Sequence, residues 1–277
     1  MSTLYLVATP IGNLEDLSAR ALRILGTVRL IAAEDTRHTA RLLQHYHIQT
    51  PAISYYEHNK LSRLPQVLAA LELGDVALVS DAGTPGLNDP GYELVRAALQ
   101  AGHQVSPVPG ACAPVAALVA SGLPTDAFVY LGYLPRKRSE RLRLLEGVAA
   151  QPHTLVFLEA PHRLLEALAD LQTALGDRPC AVARELTKLH EEIFRGRLSQ
   201  AAEHFTQNPP RGEFTLVLAG CPAESQRWSE AQVRQAVQAA RQQDTPPSQA
   251  ARQIALASGW PRSQVYRLLT TEDHHIL

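Results

Sequence analysis

Cysteine is scarce in this chain of 277 residues. The three present, Cys112, Cys180 and Cys221, lie far apart without a CxxC pair. That spacing excludes a disulfide framework, and with no histidine at finger spacing no metal site is expected; a reducing compartment, the cytoplasm, fits. Long apolar runs are missing as well. None approaches the roughly 18 residues that span a bilayer, and no basic segment precedes an apolar one at the start, so neither a membrane anchor nor a signal peptide is expected. Charge of one sign is also missing, since 26 Lys+Arg against 27 Asp+Glu leave a net charge of −1. No whole-molecule field draws such a chain onto a polyanion, so any nucleic acid must be met by a local patch. Lysine is rare: only Lys60, Lys137 and Lys188 occur. Neither GxGxxG nor GxxxxGK[ST] is present, which disfavours a dinucleotide fold and a phosphate-gripping loop.

What is there reads as globular: 45% hydrophobic and 19% charged residues, far from the composition of disordered chains. The length suits two domains and a small extra piece. Strand, loop and helix patterns alternate from the start. Residues 4–8 form a short apolar run, residues 9–13 a turn, and in 16–25 Leu17, Ala21, Leu22 and Leu25 recur at helical spacing behind Asp16 as N-cap. The unit returns at 29–33, at 76–80 before a loop and a helix over 92–101, and at 104–108 before the apolar stretch 112–121. A parallel α/β architecture follows. After a pause at 122–125 come strand candidates 128–131, 154–158, 181–185 and 214–218, with helices over 139–149 and 163–175, which predicts a second α/β domain. The segment 222–225 then breaks the pattern, and the remainder is rich in Gln, Ala and Arg. The expected limits are 1–121, 122–221 and a helical segment over 222–277.

The loop 80–91, SDAGTPGLNDPG, packs three glycines, two prolines and two aspartates behind a strand. Ligands of open α/β sheets bind at such strand ends, where free N–H groups and helix N-termini point. Polar groups follow two further apolar strands, as Glu34 and Asp35 and as Glu159, His162 and Arg163, and again Arg184, Glu185 and Lys188. Together they suggest a shared cleft, although Asp35 or Thr36 serves equally as a helix N-cap. Arg136, Lys137, Arg138, Arg141 and Arg143 form the densest basic cluster, a solvated helix face or a phosphate-contacting patch. In the tail, two short helical patterns flank Gly259, with Ala251, Ile254 and Ala255 facing Val265, Tyr266 and Leu269, as in a helix-turn-helix.

Seven segments then carry a resemblance: TPIGNLED (9–16), AEDTR (33–37), SDAGTPGLNDPG (80–91), VPGACA (108–113), EAPHR (159–163), ARELTK (183–188) and GEFTLVLAG (212–220). They resemble the ribosomal RNA small subunit methyltransferase I family, within the tetrapyrrole methylase superfamily, across about the first 220 residues. The resemblance implies two α/β domains with S-adenosylmethionine between them and a homodimer. It also implies 2′-O-methylation of a cytidine ribose in the decoding centre of 16S rRNA in the small ribosomal subunit. The loop holding Asp81, Gly83, Pro85 and Gly86 corresponds to the superfamily's Gly-Asp-Pro cofactor loop, though here Ala82 and Gly83 follow Asp81. Pro10, Ala111, Gly132, Glu159, Ala160 and Thr215 are the other cofactor positions carried over.

Methyl transfer from a sulfonium is an in-line displacement, so alignment supplies most of the catalysis. A ribose hydroxyl still needs a base or a cation at the developing alkoxide. Glu185 and Lys188 are the candidate pair, with Arg184 and Arg163 orienting phosphate, and Arg136, Lys137 and Arg138 meeting RNA. No metal is required. Two other readings remain: a small-molecule (tetrapyrrole) methyltransferase, since one fold serves several substrates, and a non-catalytic RNA-binding factor of ribosome assembly.

Overall fold

A computed structural model describes residues 2–222, 228–243 and 245–270. Strands β1 (Thr3–Val7), β2 (Leu30–Ala33), β3 (Ala52–Ser54), β4 (Val76–Val79) and β5 (Gln104–Val108) form one parallel sheet in the order β3-β2-β4-β1-β5. Val76 to Val79 are all buried, as a central strand covered on both faces requires. Because every strand runs the same way, the loops after all five emerge at one edge.

Three elements of this half carry little sequence signal. The edge strand β3 has three residues, too few to show alternation, and α3 (Lys60–Leu73) carries Pro65 in its interior. Helix α2 (Thr36–His45) follows β2 directly, and Asp35 caps it by accepting the Arg37 N–H at 2.8 Å. One expected cap is corrected. Asp16 belongs to a separate 3-10 turn, Leu14–Asp16, and Ser18 caps α1 (Ala19–Thr27) by accepting the Ala21 N–H at 3.1 Å. The helix starts later because Leu17 is extended between the two.

The second sheet has the order β6-β7-β10-β8-β9, from β6 (Phe128–Tyr133), β7 (Thr154–Glu159), β8 (Pro179–Arg184), β9 (Glu192–Arg197) and β10 (Phe214–Leu218). Only β6 and β7 pair in parallel; the other pairs are antiparallel. Strand β9 carries little sequence signal, because EIFRGR has only two apolar residues, adjacent to one another among charges and a glycine, at a half-exposed edge. One face of this sheet packs Phe157, Leu168, Phe205 and Leu216 into a core with α6 (Arg138–Gly147), α7 (Leu164–Leu175) and α8 (Leu198–Gln207). The other face receives α5 (Ala113–Ala120), whose Ala117 and Leu118 pack on Val156, Ala181 and Val217. Since α5 leaves the end of β5, this contact fixes the parallel edge of the first sheet against the second.

The tail forms three helices, α9 (Glu230–Gln242), α10 (Pro247–Ser258) and α11 (Arg262–Thr270). Val233, Val237, Ala251, Ile254, Val265 and Leu269 share one small core. Gly259 ends α10 in the left-handed region at φ 69°, which glycine adopts without strain. Tyr266, expected in this core, is instead exposed. Residues 223–225 of the predicted break lie outside the described residues.

Candidate functional site

Three loops at the parallel edge are tied to one another. Thr9 and Gly83 exchange backbone hydrogen bonds of 2.9 and 3.0 Å, so the loops after β1 and β4 form a two-residue antiparallel bridge. Thr84 Oγ1 donates to the Ala111 carbonyl at 3.2 Å, adding the loop after β5. Gly83 has φ 83°, and a Cβ there would stand 3.3 Å from Ile11 Cγ2 and 3.6 Å from the Ala111 carbonyl oxygen. Glycine is therefore required both by conformation and by space. The loop after β2 joins through the Asp35 N–H on Asp81 Oδ1 at 3.0 Å and the Asp81 N–H on Glu34 at 3.2 Å.

The second sheet meets this edge across a cleft of about 330 Å³ lined by both. Asn88, at φ 66°, accepts the Tyr130 hydroxyl at 2.6 Å, and its amide sits where a Cβ on Gly132 would be. Gly132 lies at a β-bulge in the β6 and β7 pairing, which leaves room for Asn88. On the opposite wall, Lys188 Nζ donates to Glu185 Oε1 at 2.9 Å. The lysine stem crosses Gly12 so closely that a Cβ at 12 would overlap it, and Gly212 makes the same clearance for Glu185. Glu185 and Thr187 hold φ of 51° and 65°, left-handed values uncommon for residues with side chains. Such strain persists only where the surroundings over-determine it.

Carboxylates concentrate in the cleft. Burial pushes the Asp89 carboxyl up to about 6, helped by the charges of Glu34, Asp81 and Glu213, against a hydrogen bond from Ser80. Glu34 is raised by burial too, with Asp81 and Asp35 adding repulsion. Tyr130 and Tyr133 are both pushed up to about 12, chiefly by burial, so their hydroxyls stay protonated.

Of the residues singled out from sequence, Glu34, Asp81, Gly83, Thr215, Glu185 and Lys188 line the cleft. Ala111 joins through its carbonyl, and Gly86 supports the loop by packing on Gly91. Pro85 is buried outside the lining, and Pro10 faces a neighbouring cavity. Glu159 and Ala160 are not brought to the cleft. Strand alternation puts Leu158 on the cleft wall and Glu159 on the helix side, fully buried, where its carboxylate accepts the Ala160 N–H and lies 3.3 Å from Arg163. Burial raises the Glu159 carboxyl, opposed by that N–H and by Arg163.

The cationic residues also divide. Arg184 is turned away from the cleft; it pairs with Glu192 and stacks 5.7 Å from the Phe205 ring centre. Arg163 donates to the Leu134 and Pro135 carbonyls at 2.7 and 2.9 Å, which holds it inward. Within the basic run, Arg141 is 2% exposed and bonded to Asp170, so it is a core ion pair and no part of a patch. Arg138 reaches the same aspartate at 2.9 Å, while Arg136, Lys137 and Arg143 are exposed. Asn88 and Asp89, which the sequence marked only as part of the loop 80–91, and Tyr130, Tyr133 and Glu213, which it did not mark as site residues, also line the cleft. The Asn-Asp-Pro-Gly turn in loop 80–91 was the available signal for the first two. Among the described residues no cluster of metal-ligating side chains occurs, and no helix is long and apolar enough to cross a membrane.

Comparison with known proteins agrees with this architecture. Residues 3–202 match the family described as Tetrapyrrole (Corrin/Porphyrin) Methylases. The chain is 52% identical over 271 residues to ribosomal RNA small subunit methyltransferase I of Synechocystis sp., covering 97% of each. It is 42% identical over 272 residues to the protein of that name from Bacillus subtilis, covering 96% of this chain and 93% of that one. Among solved structures, the uroporphyrin-III C-methyltransferase of Thermus thermophilus complexed with S-adenosylhomocysteine superposes with a TM-score of 0.54 at 23% identity, over 79% of this chain and 97% of that one. A cobalt precorrin-4 methyltransferase gives 0.60 at 15% identity, over 78% and 94%. Those two likenesses concern the fold. Profile and full-length identity together place the chain in the tetrapyrrole methylase family, in the branch named ribosomal RNA small subunit methyltransferase I.

Proposed function

We propose that the protein transfers a methyl group from S-adenosylmethionine to a ribose 2′-hydroxyl of a cytidine in the decoding centre of 16S rRNA, as a cytoplasmic homodimer. The observation that carries the reading is the Lys188–Glu185 pair, 2.9 Å apart, on the wall facing the Gly83 loop. The cleft suits the cofactor: its volume is within the range of small-molecule sites, Gly83 leaves the backbone bare, and Asp81, Asp89 and Glu213 present carboxylates to a cationic ligand. Asp81, Gly83, Ala111 and Thr215 are the residues that would hold it. When bound, S-adenosylmethionine supplies an electrophilic methyl on a sulfonium centre.

The chain's own residues must supply the rest. A ribose hydroxyl becomes nucleophilic as its proton leaves and negative charge gathers on oxygen. The Glu185 carboxylate is placed to take that proton, and the Lys188 ammonium to stabilise the alkoxide. Glu185 also holds Lys188 in line, while Gly12 seats its stem. Exposed Arg136 and Lys137, with Arg138 beside them, supply phosphate contacts away from the cleft. Residues 1–121, 122–221 and 222–277 are the proposed structural units.

The test is transfer of labelled methyl from S-adenosylmethionine to purified small ribosomal subunits, followed by mapping of the modified nucleotide. A single 2′-O-methylcytidine in the decoding centre is expected. Label on a tetrapyrrole alone, or cofactor binding without turnover on RNA, would overturn the reading.

A further inference from the structure

A second cavity adjoins the cleft on the side of α2. It measures about 220 Å³, with Pro10, Leu14 and Leu42 as apolar walls, and Asp81 lines both cavities. Its outer rim carries His38 and Arg41, both exposed. Within it lies Thr39, 3% exposed, whose hydroxyl has no hydrogen-bond partner among the described residues. Buried hydroxyls in native proteins are almost always paired, and an unpaired one calls for a physical account. The wall beside it is fixed, since the Tyr46 hydroxyl donates to the Leu14 carbonyl at 2.6 Å.

We propose that this cavity receives the base of the target nucleotide, extruded from the RNA, with the Thr39 hydroxyl hydrogen-bonded to the base edge and Arg41 and His38 against its flanking phosphates. The inference rests on the RNA-methylation reading and names the substrate's own subsite within it. Sequence-specific RNA recognition reads bases that are splayed out of the stack, by apolar contact and edge hydrogen bonds, and enzymes that modify a base take it into a close-fitting pocket. A base seated in that way would also fix the position of the ribose attached to it. The cavity has that composition: three apolar walls, the buried hydroxyls of Thr9, Ser80 and Thr39, the Asp81 carboxylate at the border with the cleft, and Arg41 with His38 at the rim. Of the three hydroxyls, that of Thr39 alone has no partner among the described residues, and it is able both to donate and to accept. Its position fits equally well. The ribose is bonded directly to the base, so a base seated beside Asp81 leaves its sugar at the border shared with the cleft, on the side of the Gly83 loop. Arg37 is engaged elsewhere, 2.7 Å from Asp35, which leaves Arg41 as the rim cation, with His38 beside it.

Two measurements decide it. In the first, cytidine 5′-monophosphate is titrated into the wild-type protein while the methyl resonance of Thr39 is followed. A saturable shift is expected, with affinity reduced roughly five- to tenfold in Thr39→Val, which keeps the shape and removes the hydroxyl. The absence of a shift at Thr39 would overturn the proposal. In the second, kcat/KM for small subunits is compared between wild type and Thr39→Val, and between wild type and the rim variant His38→Ala with Arg41→Ala, at saturating cofactor. Both variants are expected to lose activity through KM for RNA while S-adenosylhomocysteine binds as in wild type, which also verifies folding. Unchanged KM in both would likewise refute the pocket. If wild type does not methylate small subunits at all, the RNA reading fails by that observation, and the nucleotide titration still decides whether the cavity takes a base.

Discussion

On the wall of the cleft from the first sheet, Thr9, Gly83, Thr84 and Ala111 are joined mainly through backbone groups, and glycine is needed where they cross. On the facing wall from the second sheet, Glu185 and Lys188 meet through side chains, and the backbone is bent into left-handed values to let them do so. The difference assigns different work to each. Backbone amides in a rigid loop suit the holding of a ligand whose shape is constant, because they cost no side-chain entropy. Side chains with a carboxylate and an ammonium suit a proton that moves. It follows that the second wall should be sensitive to functional-group changes and the first to added volume.

The largest effect is therefore expected at Lys188. Lys188→Met keeps the aliphatic stem over Gly12 and removes the ammonium, so single-turnover methyl transfer should slow by roughly a hundredfold or more. Calorimetric affinity for S-adenosylhomocysteine should stay as it was. A rate within about threefold of wild type would erase the distinction between the walls and leave the Lys188–Glu185 pair structural, a surface ion pair worth little.

On the other wall, Gly83→Val adds volume without changing any functional group. The new side chain would have to hold φ 83° and press toward Ile11 and the Ala111 carbonyl, 3.3 and 3.6 Å from its Cβ. Cofactor affinity should fall at least about tenfold, or 1.4 kcal/mol. Equal affinity in the two proteins would show that the loop does not approach the ligand.

The same contrast explains how far the amino-acid sequence alone reveals the molecule. The backbone-built wall was legible because glycine and proline leave a direct trace: Gly83, Gly86 and Pro85 announce a rigid loop at a strand end. The alternation of strands and helices was also legible wherever strands were buried on both faces, as in β4. The side-chain wall was legible only in part. Lys188 and Glu185 stand out by type and spacing, but Arg184 and Glu159 group with them because sequence proximity does not say which face a strand residue takes. Tyr133 and Glu213, 80 positions apart and joined by a 3.4 Å hydrogen bond, meet only through sheet order. Arg141 looks like part of a patch because its partner Asp170 is supplied by another helix, α7.

The Arg141–Asp170 pairing sharpens a third expectation, away from both walls. Of the run Arg136, Lys137 and Arg138, the third already bonds Asp170, so the triple change to Ala should remove about two phosphate partners. The slope of log affinity for RNA against log salt should flatten by roughly 0.7 for each phosphate partner removed. Cofactor affinity should not move. An unaltered slope would make the run a solvated helix face.

The smallest effect concerns the carboxylates between the walls. Asp89 is raised from 3.8 to about 6, first by burial and then by the charges of Glu34, Asp81 and Glu213. The folded protein thus binds this proton more tightly than the unfolded chain does. Its stabilising contribution is complete below about 3.8 and is lost as pH rises through about 6. Asp89→Asn puts a neutral amide in that place and should remove this part of the pH dependence. Thermal unfolding of the two proteins, compared at pH 5 and at pH 7.5, should show the variant gaining on wild type toward higher pH. Glu34, raised by the same burial, titrates in both proteins and so drops out of the difference to first order. Tm curves that run parallel across this window would mean that Asp89 is already solvated when ionised, and the acidic cleft would then offer a cationic ligand an open, screened surface in place of a buried counter-charge.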